Sequence, residues 1–202
     1  MVLEAVADPP VRRGSDYAQL SRQISGAGLL ERRPGWYVVR IVLTLGLFAA
    51  GWAAVALVGD SWAQLLVAAG LAVATTQVAF LGHDAGHRQM FRRRGPSEAV
   101  GLLAGNLAVG LSYGWWVDKH NRHHANPNHT EEDPDVGAGA LAWTYEQAVA
   151  TRGVARWLAR RQAWLFFPML LLEGLNLHVA SVRAVVGRGP DGRFRTPVRH
   201  RG

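Results

Sequence analysis

The sequence predicts an all-α integral membrane protein: a transmembrane helical hairpin, with cytoplasmic or interfacial helices that carry clusters of histidine. Three observations predict it. Residues 41–58 and 62–82 contain no charged side chain, only Gly59, Asp60 and Ser61 separate them, and the pentapeptides HDAGH (His83 to His87) and HNRHH (His120 to His124) follow. Each apolar run is close to the roughly 20 residues that carry a helix across a ~30 Å hydrocarbon layer. Two such runs joined by three residues suit a tight membrane hairpin better than a pair of helices buried in a soluble bundle.

Taken in order, residues 1–35 read as a polar cytoplasmic arm. Glu4, Asp8, Arg12, Arg13, Asp16 and Arg22 leave no apolar stretch between Met1 and Leu30 of the kind a secretory signal contains. Residues 36–82 form the hairpin. The formal charge of +7 includes 22 basic side chains, Lys119 being the single lysine. Arginines stand before the first run (Arg32, Arg33, Arg40) and after the second (Arg88, Arg92, Arg93, Arg94), and none lies in the short connection. By the positive-inside rule both ends of the hairpin, and both histidine clusters, face the cytoplasm. Arginines that flank apolar runs act as topology signals or lipid contacts, so no nucleic-acid partner is expected.

Residues 83–163 are the histidine-bearing cytoplasmic or interfacial region. Within it, residues 97–117 are apolar and glycine-rich, with Asn106 and a Tyr113, Trp115, Trp116 cluster suited to the headgroup level. This stretch is expected to lie along the interface or to enter partway. Asn126, Pro127, Asn128 and Pro134 then mark a loop, and helix resumes from about Leu141 to Arg161. Residues 164–182 are apolar but contain Glu173, Asn176 and His178, with arginines at both ends. An interfacial or re-entrant helix meets that charge pattern better than a simple crossing. Residues 183–202 form a basic tail, expected to be truncated, in which His200 has no role.

The chemistry rests on five of the eight histidines. On a helix His83 stands beside His87, and His120 beside His123 and His124, so two imidazole faces can converge. Cysteine is absent, which leaves nitrogen and oxygen donors for a metal. Five neutral nitrogens exceed what one tetrahedral zinc needs, and a site with more than one iron is the leading expectation. Neither cluster has the Glu-x-x-His spacing of soluble di-iron bundles. Asp84 and Asp118 could orient ligating imidazoles or be solvated. Glu173 and Asn176 could support a metal site or cap an interfacial helix. His129 reads as a solvated loop residue. Arg88, Arg92, Arg93 and Arg94 could meet a phosphate of CoA or lipid, although topology is the simpler account.

HDAGH directly after a membrane helix, with HNRHH inside DKHNRHHANPNHTEEDPD, resembles the membrane fatty-acid desaturase family, and EGLNLH at 173–178 resembles its bacterial acyl-CoA or acyl-lipid branch. The resemblance implies two irons held by three histidine boxes. It implies O2 as co-substrate, two electrons from a ferredoxin-type or cytochrome-type donor with its reductase, and a membrane lipid or acyl-CoA that gains a double bond. Carried over, His83 and His87 match the first box and His120, His123 and His124 the second as metal ligands. His178 matches an additional ligand, with Asn176 and Asp84 as further supporting positions. The family's third box has no counterpart, since only His129, His178 and His200 follow His124. The chain therefore reads as an amino-terminal piece with an incomplete metal cage. A hydroxylase or ketolase of the same histidine-box class, and a non-catalytic metal-binding membrane protein, are the alternatives.

Overall fold

The structure, a computed structural model, describes residues 15–137, 139 and 141–187. The first fourteen residues of the polar arm, and the basic tail from 188 with His200, lie outside the described residues. Every regular element among the described residues is helical, and the protein is an all-α membrane protein.

Helix α1, Asp16–Gly26, begins where the Ser15 hydroxyl accepts from the Ala18 N–H at 3.2 Å. Helix α2, Pro34–Val58, starts on Pro34, whose missing N–H costs nothing in a first turn. Helix α3 spans Gln64–Gly86. Between α2 and α3 the Gln64 side-chain amide donates to the carbonyls of Val55 (2.8 Å) and Gly59 (2.9 Å), which α2 leaves unpaired at its end. In hydrocarbon or at its edge such groups need a partner within the chain. The two helices are each long and apolar enough to cross a membrane. Leu43, Leu57, Leu66 and Val73 are all more than 60% exposed, a surface that suits lipid and not water.

After α3 the chain turns through Met90 into α4, Arg94–Leu102, which continues as a π-helical segment, Leu103–Val109. Gly110, at φ +80°, reverses the direction, and α5, Tyr113–Ala125, leaves at 110° to the preceding segment. Ala104 lies against Gly82 and the Trp116 ring against Gly86, so the chain descends beside α3 and climbs back. Leu81, Ala85 and Met90 are fully buried here, with Tyr37, Ile41, Phe91 and Val100 packed around them. A buried apolar cluster thus underlies the end of α3 that carries the first histidine cluster.

Where one helix is expected from Leu141 to Arg161, two short ones form: α6, Tyr145–Ala150, and α7, Gly153–Ala159. The Thr144 hydroxyl caps α6, accepting from the Gln147 N–H at 3.2 Å. Extended backbone at Thr151 (ψ 148°) and a positive φ of 55° at Gly153 then break the register. Helices α8, Gln162–Leu170, and α9, Glu173–Val186, meet at 68° and reach membrane-crossing length only taken together.

Candidate metal centre

Two helix faces bring the clusters together. On α3, His83 lies one turn before His87, which caps the helix, and their rings are 4.6 Å apart. On α5, Trp116, His120 and His124 repeat at intervals of four: the Trp116 ring stacks on His120 at 4.4 Å and 20°, and His124 meets His120 edge-on at 4.5 Å. Gly86 permits the approach, because a Cβ there would come within 2.8 Å of the Trp116 ring.

His120 sits at the centre. Its Nε2 lies 3.1 Å from Nε2 of His87 and 3.1 Å from Nε2 of His124. Ligand atoms of His83, His87 and His120 lie within 4.8 Å of one another. Two nitrogens that share an ion at ~2.1 Å each stand no more than ~4.2 Å apart, so the 3.1 Å separations fit donors to a common metal. Burial first, then the like charges of His83, His124, His87 and His123, push the His120 pKa down to about 4. Burial, followed by His83 and His124, lowers His87 as well. Both rings are therefore neutral near pH 7, the form that binds metal.

His123 faces a different partner. Its Nδ1 lies 3.0 and 2.9 Å from the two carboxylate oxygens of Asp133 and 3.4 Å from Oδ2 of Asp135, which also pairs with Lys119. Asp133 is buried and accepts the N–H groups of Asn128 (2.8 Å) and Asp135 (2.9 Å). Burial alone would raise its pKa. The two backbone donors and His123 outweigh it, and the carboxyl is lowered. His123, Asp133 and Asp135 form a second group of potential ligand atoms within 4.8 Å.

Asp84 accepts Arg40 Nη1 at 2.9 Å and the Tyr37 hydroxyl at 3.2 Å, and its other oxygen is 3.5 Å from His83 Nδ1. The carboxylate thus ties α2 to α3 next to the first histidine. Asp118 turns away to Arg122 at 3.4 Å, and His129 is exposed in the loop. His178 and Asn176 lie on α9. Nδ1 of His178 meets the Gly174 carbonyl at 2.7 Å and Nε2 the Val109 carbonyl at 2.9 Å, while Asn176 donates to Glu173 at 3.3 Å.

Sequence reasoning passed over Asp133 and Tyr37, and read Trp116 only as a headgroup-level aromatic and Arg40 only as a topology signal. Asp133 carried a readable signal: an Asp-Pro-Asp triplet closing a loop with two prolines, ten residues after a box histidine. The other three carried none, because their roles depend on which helices become neighbours.

Two cavities adjoin the centre. One of about 240 Å³ is walled by Ala79, Phe80, Val109, Leu111 and Trp116, with His83 in its lining. The other, about 540 Å³, lies beside His87 and is lined by Arg32, Arg33 and Arg88 with Trp36.

A membrane hairpin whose end brings imidazoles together beside an apolar cavity defines a membrane protein with a histidine cluster able to hold a metal. Comparison with known proteins agrees: residues 60–194 match the family model for fatty acid desaturase. The chain is 28% identical over 185 residues to a Delta(8)-fatty-acid desaturase of Helianthus annuus, covering 86% of this chain and 40% of that protein. A Delta(8)-fatty-acid desaturase of Euglena gracilis is 30% identical over 158 residues, 78% of this chain and 37% of that protein. An acyl-lipid (9-3)-desaturase of Physcomitrium patens is 37% identical over 115 residues, 54% of this chain and 22% of that protein. No solved structure matches. The chain belongs to the fatty acid desaturase family, and it spans about 40% of the length of the curated relatives that match most of it.

Proposed function

We propose that this chain contributes the membrane hairpin and the first two histidine boxes of an O2-dependent desaturase acting on the acyl chain of a membrane lipid or acyl-CoA. His83, His87, His120, His123 and His124 would hold iron. The observation that carries the reading is the apolar cavity with His83 in its lining. Ala79, Phe80, Val109 and Leu111 offer an alkyl chain a dry wall, and Trp116 closes the side next to His120.

Iron held by these histidines would supply O2-dependent oxidation: with two electrons from a ferredoxin-type or cytochrome-type donor and its reductase, and two protons, an acyl chain would lose one hydrogen from each of two adjacent carbons and O2 would leave as two waters. The protein's own contribution is to hold the neutral imidazoles of His87 and His120 at bonding separation, to orient His123 through Asp133, and to keep the alkyl chain out of water. The centre would lie at the cytoplasmic face of a bacterial membrane; the arginines at both ends of the hairpin support the cytoplasmic side.

The test is product analysis by mass spectrometry, with metal content measured on the same preparation. Iron together with products lighter by two hydrogens upholds the reading. Products that have gained oxygen point to a hydroxylase or ketolase, and zinc without any acyl product points to a non-catalytic metal protein.

A further inference from the structure

The turn between the π-helical segment and α5 is held from two sides. Locally, the Leu111 N–H donates to the Gly105 carbonyl at 2.8 Å and the Tyr113 N–H to Asn106 Oδ1 at 2.7 Å. Two further bonds arrive from α9, 69 residues along the chain: Ser112 N–H donates to Ser181 Oγ at 2.7 Å, and His178 Nε2 meets the Val109 carbonyl at 2.9 Å. Ser181 is only 2% exposed. A packed hydroxyl and an imidazole one helical turn apart therefore grip the two ends of a four-residue turn.

The chemistry of His178 points the same way. Each ring nitrogen of His178 faces a main-chain carbonyl oxygen, which can only accept, so the bond made at either nitrogen is one in which the ring donates. A ring nitrogen that donates its hydrogen has no in-plane lone pair left for a metal. Leverage makes the grip matter. His120 lies about 12 Å from Ser112 at ~1.5 Å per residue, so a tilt of about 10° at the turn moves it by roughly 2 Å. That displacement exceeds what the 3.1 Å approach to His87 tolerates.

We propose that His178 is a positioning residue and not a metal ligand: with Ser181 it pins the turn from Val109 to Ser112, and through α5 it sets where His120 and His124 stand against His83 and His87. The consequence for metal rests on the function proposed above; the grip on α5 does not.

The chain has no cysteine, so a pair of introduced cysteines takes spin labels cleanly. Val73→Cys on α3 and Asn121→Cys on α5, both exposed, report the distance between the two helices in the full chain in lipid nanodiscs. His178→Ala and Ser181→Ala are each expected to shift and broaden that distance distribution and to lower bound iron. His178→Gln, which returns a donor to the Nε2 position, is expected to restore both. Ser181→Ala is the discriminating variant, because it can alter the iron's optical spectrum only by moving other groups. The proposal is overturned if neither alanine variant changes the distance, or if His178→Gln loses iron while the distance stays native. Native protein without iron whose distances still respond as expected would uphold the grip and sink the reading of the metal site.

Discussion

His123 and Asp133 form a closed pair: the imidazole Nδ1 lies 2.9 Å from one carboxylate oxygen of a fully buried side chain whose remaining capacity is filled by the backbone N–H groups of Asn128 and Asp135. An ionised carboxylate accepts only, so the hydrogen sits on Nδ1 and the Nε2 lone pair is left for a metal. The loop from Asn126 to Asp135 is built around this one carboxylate.

Asp133→Asn is therefore expected to lower iron affinity by about 10- to 100-fold, the usual effect of losing the group that orients a ligating histidine. Asp133→Ala should also unsettle the loop, since the N–H groups of Asn128 and Asp135 would lose their acceptor, at about 0.5–1.5 kcal/mol each. Iron titration of both variants, with thermal unfolding alongside, separates the two effects. Native affinity in Asp133→Asn would refute the orienting role.

At the other cluster, Asp84 joins Arg40 on α2 to α3 next to His83. The Arg40 and Asp84 side chains are 26% and 20% exposed, so their interaction is partly screened. A double-mutant cycle with Arg40→Met and Asp84→Asn should return a coupling of about 1 kcal/mol in unfolding free energy. A coupling near zero would show that the hairpin places His83 without this pair.

Much of this architecture could be read from local signals. Uncharged runs on either side of Gly59, Asp60 and Ser61 announce the hairpin, and spacings of four place His83 with His87 and His120 with His124, as the ring contacts show. What escaped depends on partners distant in sequence. The π-helical turns at Leu103–Val109 have no periodic signature and are sustained by contacts with α3 and α9. The partner of His123 is set by a loop that closes on Asp133, and the roles of His178 and Ser181 appear only when α9 reaches the turn before α5.

The contact between Gly86 and Trp116 yields a sharper expectation. Gly86→Ala would bring a Cβ to 2.8 Å from the ring, and the collision falls where α5 is anchored next to His120. Overpacking of this kind costs about 1–3 kcal/mol. We expect that variant to lose iron and stability together. Gly70→Ala on the same helix has open space around the new methyl and serves as the control. Equal behaviour of the two variants would rule out the close approach.

The cavity with His83 in its lining predicts a separation of binding from metal retention. Ala79 lines this cavity one helical turn before His83, so Ala79→Phe projects a ring into the space an alkyl chain would occupy. Iron content and the α3 to α5 distance should stay native, while desaturated product from long acyl chains falls at least tenfold and short chains are affected less. Mass spectrometry of products from a mixed-length acyl pool, normalised to iron, reads this directly. A uniform loss across all lengths would mean that the substituted ring disturbs the centre itself. An unchanged length profile would mean that the alkyl chain reaches the histidines by another route.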